Sequence, residues 1–255
     1  MFKKLLCAIL SISLISCITA SAAAVTTADS EEPYVVSVTT YPEITDEEEL
    51  LELAVEQYKA KAVSYSAFSS VEPTKEETDI VAKQVLKEEV YSDGSVVQDV
   101  AVTNLGVTDQ EGRQVNATWF NKEYDRNGGS NAFSVFGSMT VYASQTYPSS
   151  VLENPIGRIT KIRVSAHQGT SAYSCSKIEV WYYVQRGGDA LVSERKNFYS
   201  PQNGVNYYYY PTNQESFLLY AQGGPTEDFY STYVKGSSTF YTTAGYVISL
   251  KAILE

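Results

Sequence analysis

Two aromatic side chains on one predicted strand are the residues best suited to contact a ligand. Apolar side chains alternate with polar or aromatic ones over residues 177–185, which predicts a strand with one face toward a core. Trp181 and Tyr183 fall on the face opposite the apolar one, which is the position of a solvent-facing binding site. Flat exposed rings can stack on sugars. The favoured interpretation is nevertheless that a loop or the N-terminal helix covers this face, since Trp and Tyr are common in strands.

A second candidate has the spacing of a calcium loop. Oxygen ligands and a glycine occupy the loop positions 1, 3, 5, 6 and 9 of the calcium-binding pattern, namely Glu123, Asp125, Asn127, Gly128 and Asn131. Position 12, which should be a bidentate glutamate, is Ser134. A polar hairpin loop that needs Asn and Gly explains the same residues. We therefore expect neither a metal site nor a cofactor.

Nucleophilic catalysis would have to use His167, the one histidine of the chain. It lies near Ser171, Ser174 and Cys175 in sequence, but no Gly-x-Ser-x-Gly elbow occurs and no typical flank of a catalytic cysteine is present. A solvated basic stripe on one strand, formed with Lys161, Arg163 and Ser165, is the favoured interpretation. We expect Cys175 to be buried and inert.

A carboxylate pair for hydrolysis leaves no sequence signature, because two acids need only lie about 5–9 Å apart in space. Acids in or near predicted strands are candidates for such a pair: Glu179, Asp189, Glu194, Glu227 and Asp228. A secreted hydrolase is therefore kept as an alternative.

The N-terminus predicts export. Residues 1–22 combine Lys3 and Lys4, a short apolar run and a small-residue site at Ala20 and Ala22, which is the layout of a signal peptide cleaved after Ala22. The run is too short for a membrane span, so we expect no transmembrane helix in the mature chain. A competing interpretation is a lipoprotein signal at residues 14–17, with Cys17 as the lipidated residue and the protein anchored at the cell surface.

Composition excludes several classes of function. The net charge of −11 disfavours a nucleic-acid partner, and three cysteines with one histidine argue against zinc and iron–sulfur sites. The acidity is concentrated near the N-terminus, because residues 29–52 contain nine acids and no Lys or Arg. This composition predicts a solvated, extended segment up to about Tyr41.

The helices and strands predicted for the mature chain form two regions. Residues 23–73 are predicted to be an acidic linker with one helix at about 46–62, which begins at a capping box in residues 45–48. Residues 75–255 are predicted to be a domain of about ten short strands. The dipeptide Asp93-Gly94 predicts a type I′ hairpin, and residues 115–124 are predicted to pair as a strand with residues 132–144.

This pattern predicts an all-β fold, an antiparallel, jelly-roll-like β-sandwich preceded by the helix and the signal peptide. We expect a secreted or surface-associated protein that is not an enzyme and binds polysaccharide or a cell-surface component. A membrane-active β-toxin, with residues 115–144 as an amphipathic hairpin, is a further alternative.

Overall fold

The computed structural model describes residues 32–68, 80–108, 113–129, 133–150, 154–167, 174–186, 189–219, 232–243, 245 and 247–254. These residues are mostly in strands, and the strands form two antiparallel sheets, which confirms the predicted all-β class. The elements in chain order are β1 Val35–Thr40, α1 Glu47–Phe68, β2 Ile80–Tyr91, β3 Val96–Thr108, α2 Ala117–Asn127, β4 Ser134–Tyr147, β5 Ile156–Ala166, β6 Cys175–Arg186, β7 Asp189–Tyr199, β8 Tyr207–Tyr209, β9 Phe217–Leu218, β10 Thr232–Thr242 and β11 Val247–Ile253.

The first sheet has the strand order β1-β2-β3-β4-β5-β8, and β9 also pairs with β5. Strands β1 to β5 are therefore neighbours in both sequence and space, which is a meander. The second sheet has the order β11-β10-β6-β7 and consists of two hairpins side by side. The chain changes sheet between β5 and β6, between β7 and β8 and between β9 and β10, while β1 to β5 form a meander within one sheet.

The β2–β3 hairpin forms where Asp93-Gly94 predicts it, but its turn is not type I′. Gly94 has a φ of 83°, whereas Asp93 keeps a negative φ. Gly94 N–H donates to the Tyr91 carbonyl, and Tyr91 N–H donates to the Ser95 carbonyl, each at 2.9 Å. These bonds define a three-residue loop with glycine in the left-handed position. The Asp93 side chain stabilises it by accepting from Ser95 N–H at 2.8 Å.

The two sheets share one hydrophobic core, to which β3, β4, β5, β6, β10 and β11 all contribute buried side chains. Glycines allow close approach between the sheets. A Cβ at Gly236 in β10 would lie 2.6 Å from Cγ2 of Val141 in β4 and 3.2 Å from Cδ1 of Ile162 in β5. Gly236 lies inside the strand β10, Thr232–Thr242, so the close approach occurs in the middle of the second sheet.

A smaller core lies at one end of the first sheet, on its other face. Apolar residues of α1 pack there with the start of β2, the end of β3 and α2. Helix α1 begins where Asp46 accepts from the N–H groups of Glu48 and Glu49 at 3.0 and 3.1 Å, as expected for an N-cap. Leu50, Leu51, Ala54 and Val55 are its buried residues. The helix therefore helps to bury one face of the sheet.

The predicted linker also contributes a strand. Pro33–Glu255 forms one compact unit, and β1, although exposed along its whole length, pairs with β2. Part of the segment predicted as a linker thus pairs with the first sheet. The physical reason is that the apolar side of α1 and the unpaired edge of β2 both need a partner.

The strand predicted at residues 115–124 is wrong, because Ala117–Asn127 is the helix α2. The side chain of Asn116 caps it by accepting from Trp119 N–H at 2.8 Å, and Gly128, with a φ of 73°, ends it in the left-handed conformation. Phe120 and Tyr124 lie one turn apart on the same side of the helix, with ring centroids 5.4 Å apart. The amphipathic hairpin on which the toxin alternative rested is therefore not formed.

Candidate functional site

On the outer face of the second sheet, Trp181 and Tyr183 lie beside lysine and arginine side chains. The register aligns Trp181 with Ser237 and Lys251 on one side and with Arg195 on the other. Tyr183 aligns with Lys235 in the adjoining row. Apolar residues of the same strands point into the core. We give the name cationic aromatic face to these outward charged and aromatic residues of the four strands: Lys177, Glu179, Trp181, Tyr183, Arg195, Tyr199, Lys235, Tyr241 and Lys251.

Trp181 and Tyr183 are both half-buried, so the structure places them neither in the core nor fully in solvent. A cation lies over each ring. The guanidinium carbon of Arg195 is 5.0 Å from the Trp181 ring, and Nζ of Lys235 is 5.4 Å from the Tyr183 ring centroid. These cation–π contacts hold the charges against the aromatic surface and cover part of it.

Glu179 is the buried carboxylate of this face, with 5% of its surface exposed. It accepts from Lys177 Nζ at 2.6 Å, from Trp181 Nε1 at 3.3 Å and from the Tyr241 hydroxyl at 3.2 Å, and it also forms an ion pair with Arg195. Burial raises the pKa of Glu179, but these hydrogen bonds and the Arg195 charge lower it more, so the net pKa is below its ordinary value. Glu179 therefore fixes the positions of Trp181 and Arg195.

The other half of the face carries positive charge without a counterion. Lys235 and Lys251 lie on neighbouring strands in adjacent rows, and no carboxylate of the described residues forms an ion pair with either. Burial and the nearby Lys251 charge lower the pKa of Lys235. With four cations against one carboxylate, the face is positive in a protein whose net charge is −11.

The predicted basic stripe lies on the outer face of the first sheet and is not simply solvated. Arg163, whose side chain is 12% exposed, pairs with Glu43 at 3.1 Å, and the Tyr142 hydroxyl donates to the same carboxylate at 2.6 Å. His167 pairs with Glu47. Glu43, before α1, and Glu47, at its start, therefore lie against this stripe, and opposite charge stabilises the contact between Glu43 and Arg163.

The described residues form no catalytic triad around His167. Ser165 Oγ lies 3.0 Å from Nε2 of His167, but Glu47 contacts the same nitrogen. A triad needs the hydroxyl and the carboxylate on different ring nitrogens. Ser174 instead bonds Thr243 through its hydroxyl at 2.9 Å, and Ser171 lies outside the described residues.

The candidate carboxylates do not converge. Glu194 lies on the face of its sheet opposite Glu179, where it accepts from the Tyr209 hydroxyl and from the N–H groups of Thr212 and Asn213, both at 2.8 Å. Burial raises the pKa of Glu194, and these bonds lower it more. A general acid needs a raised pKa, so this environment does not suit that role. Asp189 is exposed at the start of β7, and Glu227 and Asp228 lie outside the described residues.

The calcium-like residues lie on α2 rather than in a loop. Asp125 pairs with Lys59 at 2.7 Å and Glu123 with Arg126 at 2.9 Å, so both carboxylates have protein partners. The hairpin-loop explanation is wrong for residues 123–127, because a helix spaces these side chains around its axis. Among the described residues no group of three or more His, Cys, Asp and Glu side chains could hold a metal ion. Asn131 lies outside them.

Cys175 is buried, as the sequence predicts, and its thiol donates to the Lys177 carbonyl at 3.3 Å. Burial raises the pKa of the thiol. The signal peptide of residues 1–22 and Cys17 lie outside the described residues. Within the described part of the chain, no helix is long and apolar enough to cross a membrane.

Sequence reasoning found the aromatic residues of the face but missed its cations. Lys235 and Lys251 each lie in an alternating strand, which was a usable signal for outward orientation. Their position beside Trp181 and Tyr183 depends on the pairing of β10 with β6 and β11, which local patterns do not specify. No family model matches the chain, and neither the curated proteins nor the solved structures contain a significant match to it.

Proposed function

We propose that this is a secreted or surface-associated, non-catalytic binding protein with a two-sheet β-sandwich fold, and that its cationic aromatic face binds extracellular carbohydrate. The observation that carries the proposal is the row of Trp181 and its neighbours on an outer sheet face. The rings of Trp181 and Tyr183 are partly accessible, and the small side chain of Ser237 lies directly across from Trp181 on β10. Partly accessible aromatic rings suit contact with a sugar chain.

The sandwich interpretation is supported by the core shared between the sheets. Cross-sheet distances such as that between the Gly236 position and Val141 leave no room for a further layer at that point. A sandwich exposes the outer face of each sheet. In the first sheet two helices and the segment containing Glu43 lie against that face. The second sheet is thus the one with an outer face free for a ligand among the described residues.

The absence of catalysis is proposed on the chemistry of the acids and of His167. Glu179 and Glu194 are both held as carboxylates by multiple donors and face away from each other. His167 has its hydroxyl and carboxylate neighbours on one nitrogen. These arrangements stabilise structure and offer neither a general acid nor an activated nucleophile.

Export is proposed on the signal peptide of residues 1–22. N-terminal sequencing of protein recovered from the medium should begin at Ala23. Membrane retention that is abolished by Cys17→Ala would instead establish the lipid-anchored alternative.

The binding proposal is tested by affinity electrophoresis of the purified mature protein in gels that contain cell-wall or plant polysaccharides. Retardation by at least one polysaccharide is expected, and Trp181→Ala and Tyr183→Ala should each reduce it. Tyr210→Ala is the matched control, since Tyr210 is an aromatic residue that is 64% exposed and lies outside the cationic aromatic face.

Thermal unfolding must accompany this assay. Truncation of a fully buried Trp costs roughly 3–5 kcal/mol, so the half-buried Trp181 should cost less than that when changed to alanine. Retardation that is identical in wild type, Trp181→Ala and Tyr183→Ala, or that is absent for every polysaccharide, would contradict the proposal. Tyr183→Ala keeps the test decisive if Trp181→Ala fails to fold.

A further inference from the structure

The charges beside Trp181 and Tyr183 indicate more about the ligand than the rings do. On the side toward β11, Lys235 and Lys251 have no carboxylate partner among the described residues. Two neighbouring ammonium groups repel, and burial together with the Lys251 charge lowers the pKa of Lys235. An anion bound between them would remove this repulsion.

The sign of this face is opposite to that of the chain as a whole. Nine acids and no base occur in residues 29–52, and the chain as a whole has a charge of −11. On the first sheet Arg163 forms an ion pair with Glu43, and Glu47 contacts the His167 ring. The second sheet combines aromatic rings with two lysines that have no carboxylate partner among the described residues.

We infer that the ligand of the cationic aromatic face is an acidic polysaccharide, with sugar rings that lie against Trp181 and Tyr183 and with carboxylates that pair with Lys235 and Lys251. This inference rests on the proposed carbohydrate-binding function and specifies its ligand class. An acidic polysaccharide uses both the aromatic rings and the two lysines of the face. A neutral polysaccharide leaves the lysines unpaired, and an acidic peptide leaves the rings without a stacking partner.

Geometry allows one chain to reach both groups. Residues two apart on a strand are separated by about 6.6–6.8 Å, and neighbouring strands by about 4.8 Å. Trp181 and Lys251 are therefore two strands apart in one row, and Tyr183 and Lys235 are direct cross-strand neighbours. A polysaccharide of several sugars covers such distances.

Three probes separate the contributions of ring and charge. Polygalacturonate supplies both sugar rings and carboxylates. Its methyl ester has the same sugar backbone with most of the negative charge removed. Polyglutamate carries carboxylates but has no sugar rings. Titration calorimetry with the mature protein at low salt should give the tightest binding for polygalacturonate. We expect the methyl ester and polyglutamate each to bind at least tenfold more weakly, and added salt to weaken polygalacturonate binding.

Variants then locate the charges. Lys235→Gln and Lys251→Gln should each weaken polygalacturonate binding about two- to fivefold, the range expected for one partly exposed ion pair, and should reduce its salt dependence. Lys122→Gln is the matched control, because it makes the same change at an exposed position of α2. These variants replace outward side chains and leave the core unchanged.

The outcomes distinguish the two levels of the argument. If the methyl ester binds as tightly as polygalacturonate and Trp181→Ala abolishes this binding, the inference of an acidic ligand is wrong and the carbohydrate-binding function is retained. Equal binding of polyglutamate would overturn the inference in favour of an acidic peptide. Binding of every probe that is unchanged in Trp181→Ala and Tyr183→Ala would overturn the proposed function itself.

Discussion

Replacement of Gly236 by alanine should destabilise the protein through the contact between the two sheets. The new Cβ would lie 2.6 Å from Cγ2 of Val141 and 3.2 Å from Cδ1 of Ile162. Both neighbours are fully buried, so neither side chain can move into solvent. Overpacking of this kind typically lowers the free energy of unfolding by about 1–3 kcal/mol. Replacement of glycine by alanine also lowers the entropy of the unfolded chain, which stabilises the protein by about 0.4–1 kcal/mol.

The expected net loss is therefore about 0.5–2 kcal/mol of the free energy of unfolding. For a domain of this size that corresponds to a decrease in Tm of roughly 1–8 °C. Differential scanning calorimetry measures it. Ser237→Ala is the matched control, since Ser237 is the next residue of β10 and faces outward, and it should change stability by less than about 0.5 kcal/mol.

A double-mutant cycle with Val141→Ala tests the cause. Removal of the methyl group that Gly236→Ala meets should abolish most of the cost of the glycine change, so the two substitutions should be coupled. A Gly236→Ala protein that is as stable as wild type, or additive effects in the double variant, would refute the close approach of the sheets at this point.

Three further predictions concern local contacts. Glu43→Gln should lower the free energy of unfolding by about 1–2 kcal/mol, because Arg163 loses its counterion, and should therefore lower the urea midpoint. An unchanged midpoint would contradict the ion pair. Asn116→Ala should cost about 1 kcal/mol by removing the N-cap of α2, measurable by chemical denaturation, while a strand at this position would show no such loss. The pKa of Glu179 in the folded protein is below its ordinary value of 4.5, so its contribution to stability should be fully present above pH 4.5 and lost as the pH falls through the folded pKa. Glu179→Gln should reduce this loss of stability at low pH in a series of thermal melts.

Local patterns were sufficient for much of the fold. The alternation of residues 177–185 predicted both the strand and the outward position of Trp181, because a strand points successive side chains to opposite faces. The Asp93-Gly94 hairpin was likewise visible in the sequence. Its turn type was not, because two turn classes place glycine in the same left-handed position.

The errors arose where tertiary contacts decide between local alternatives. The aromatic residues of α2 suit a strand by composition, and the decisive signals were the capping Asn116 and the terminal Gly128. The segment that contains α1 was interpreted as a linker because its acids dominate its composition. Burial of Leu50 and its neighbours against the first sheet outweighs that composition, and no local pattern shows where the buried partner lies.

Emission from Trp181 reports whether the bound polysaccharide contacts the cationic aromatic face. The chain has two tryptophans, so Trp119→Phe leaves Trp181 as the one tryptophan, and Trp119 lies on α2, which packs in the smaller core of the first sheet. Titration of this variant with polygalacturonate should give a saturable change in emission whose midpoint agrees with the calorimetric Kd. Bound polysaccharide, shown by calorimetry, with Trp181 emission unchanged at saturation would contradict the assignment of the binding site to this face.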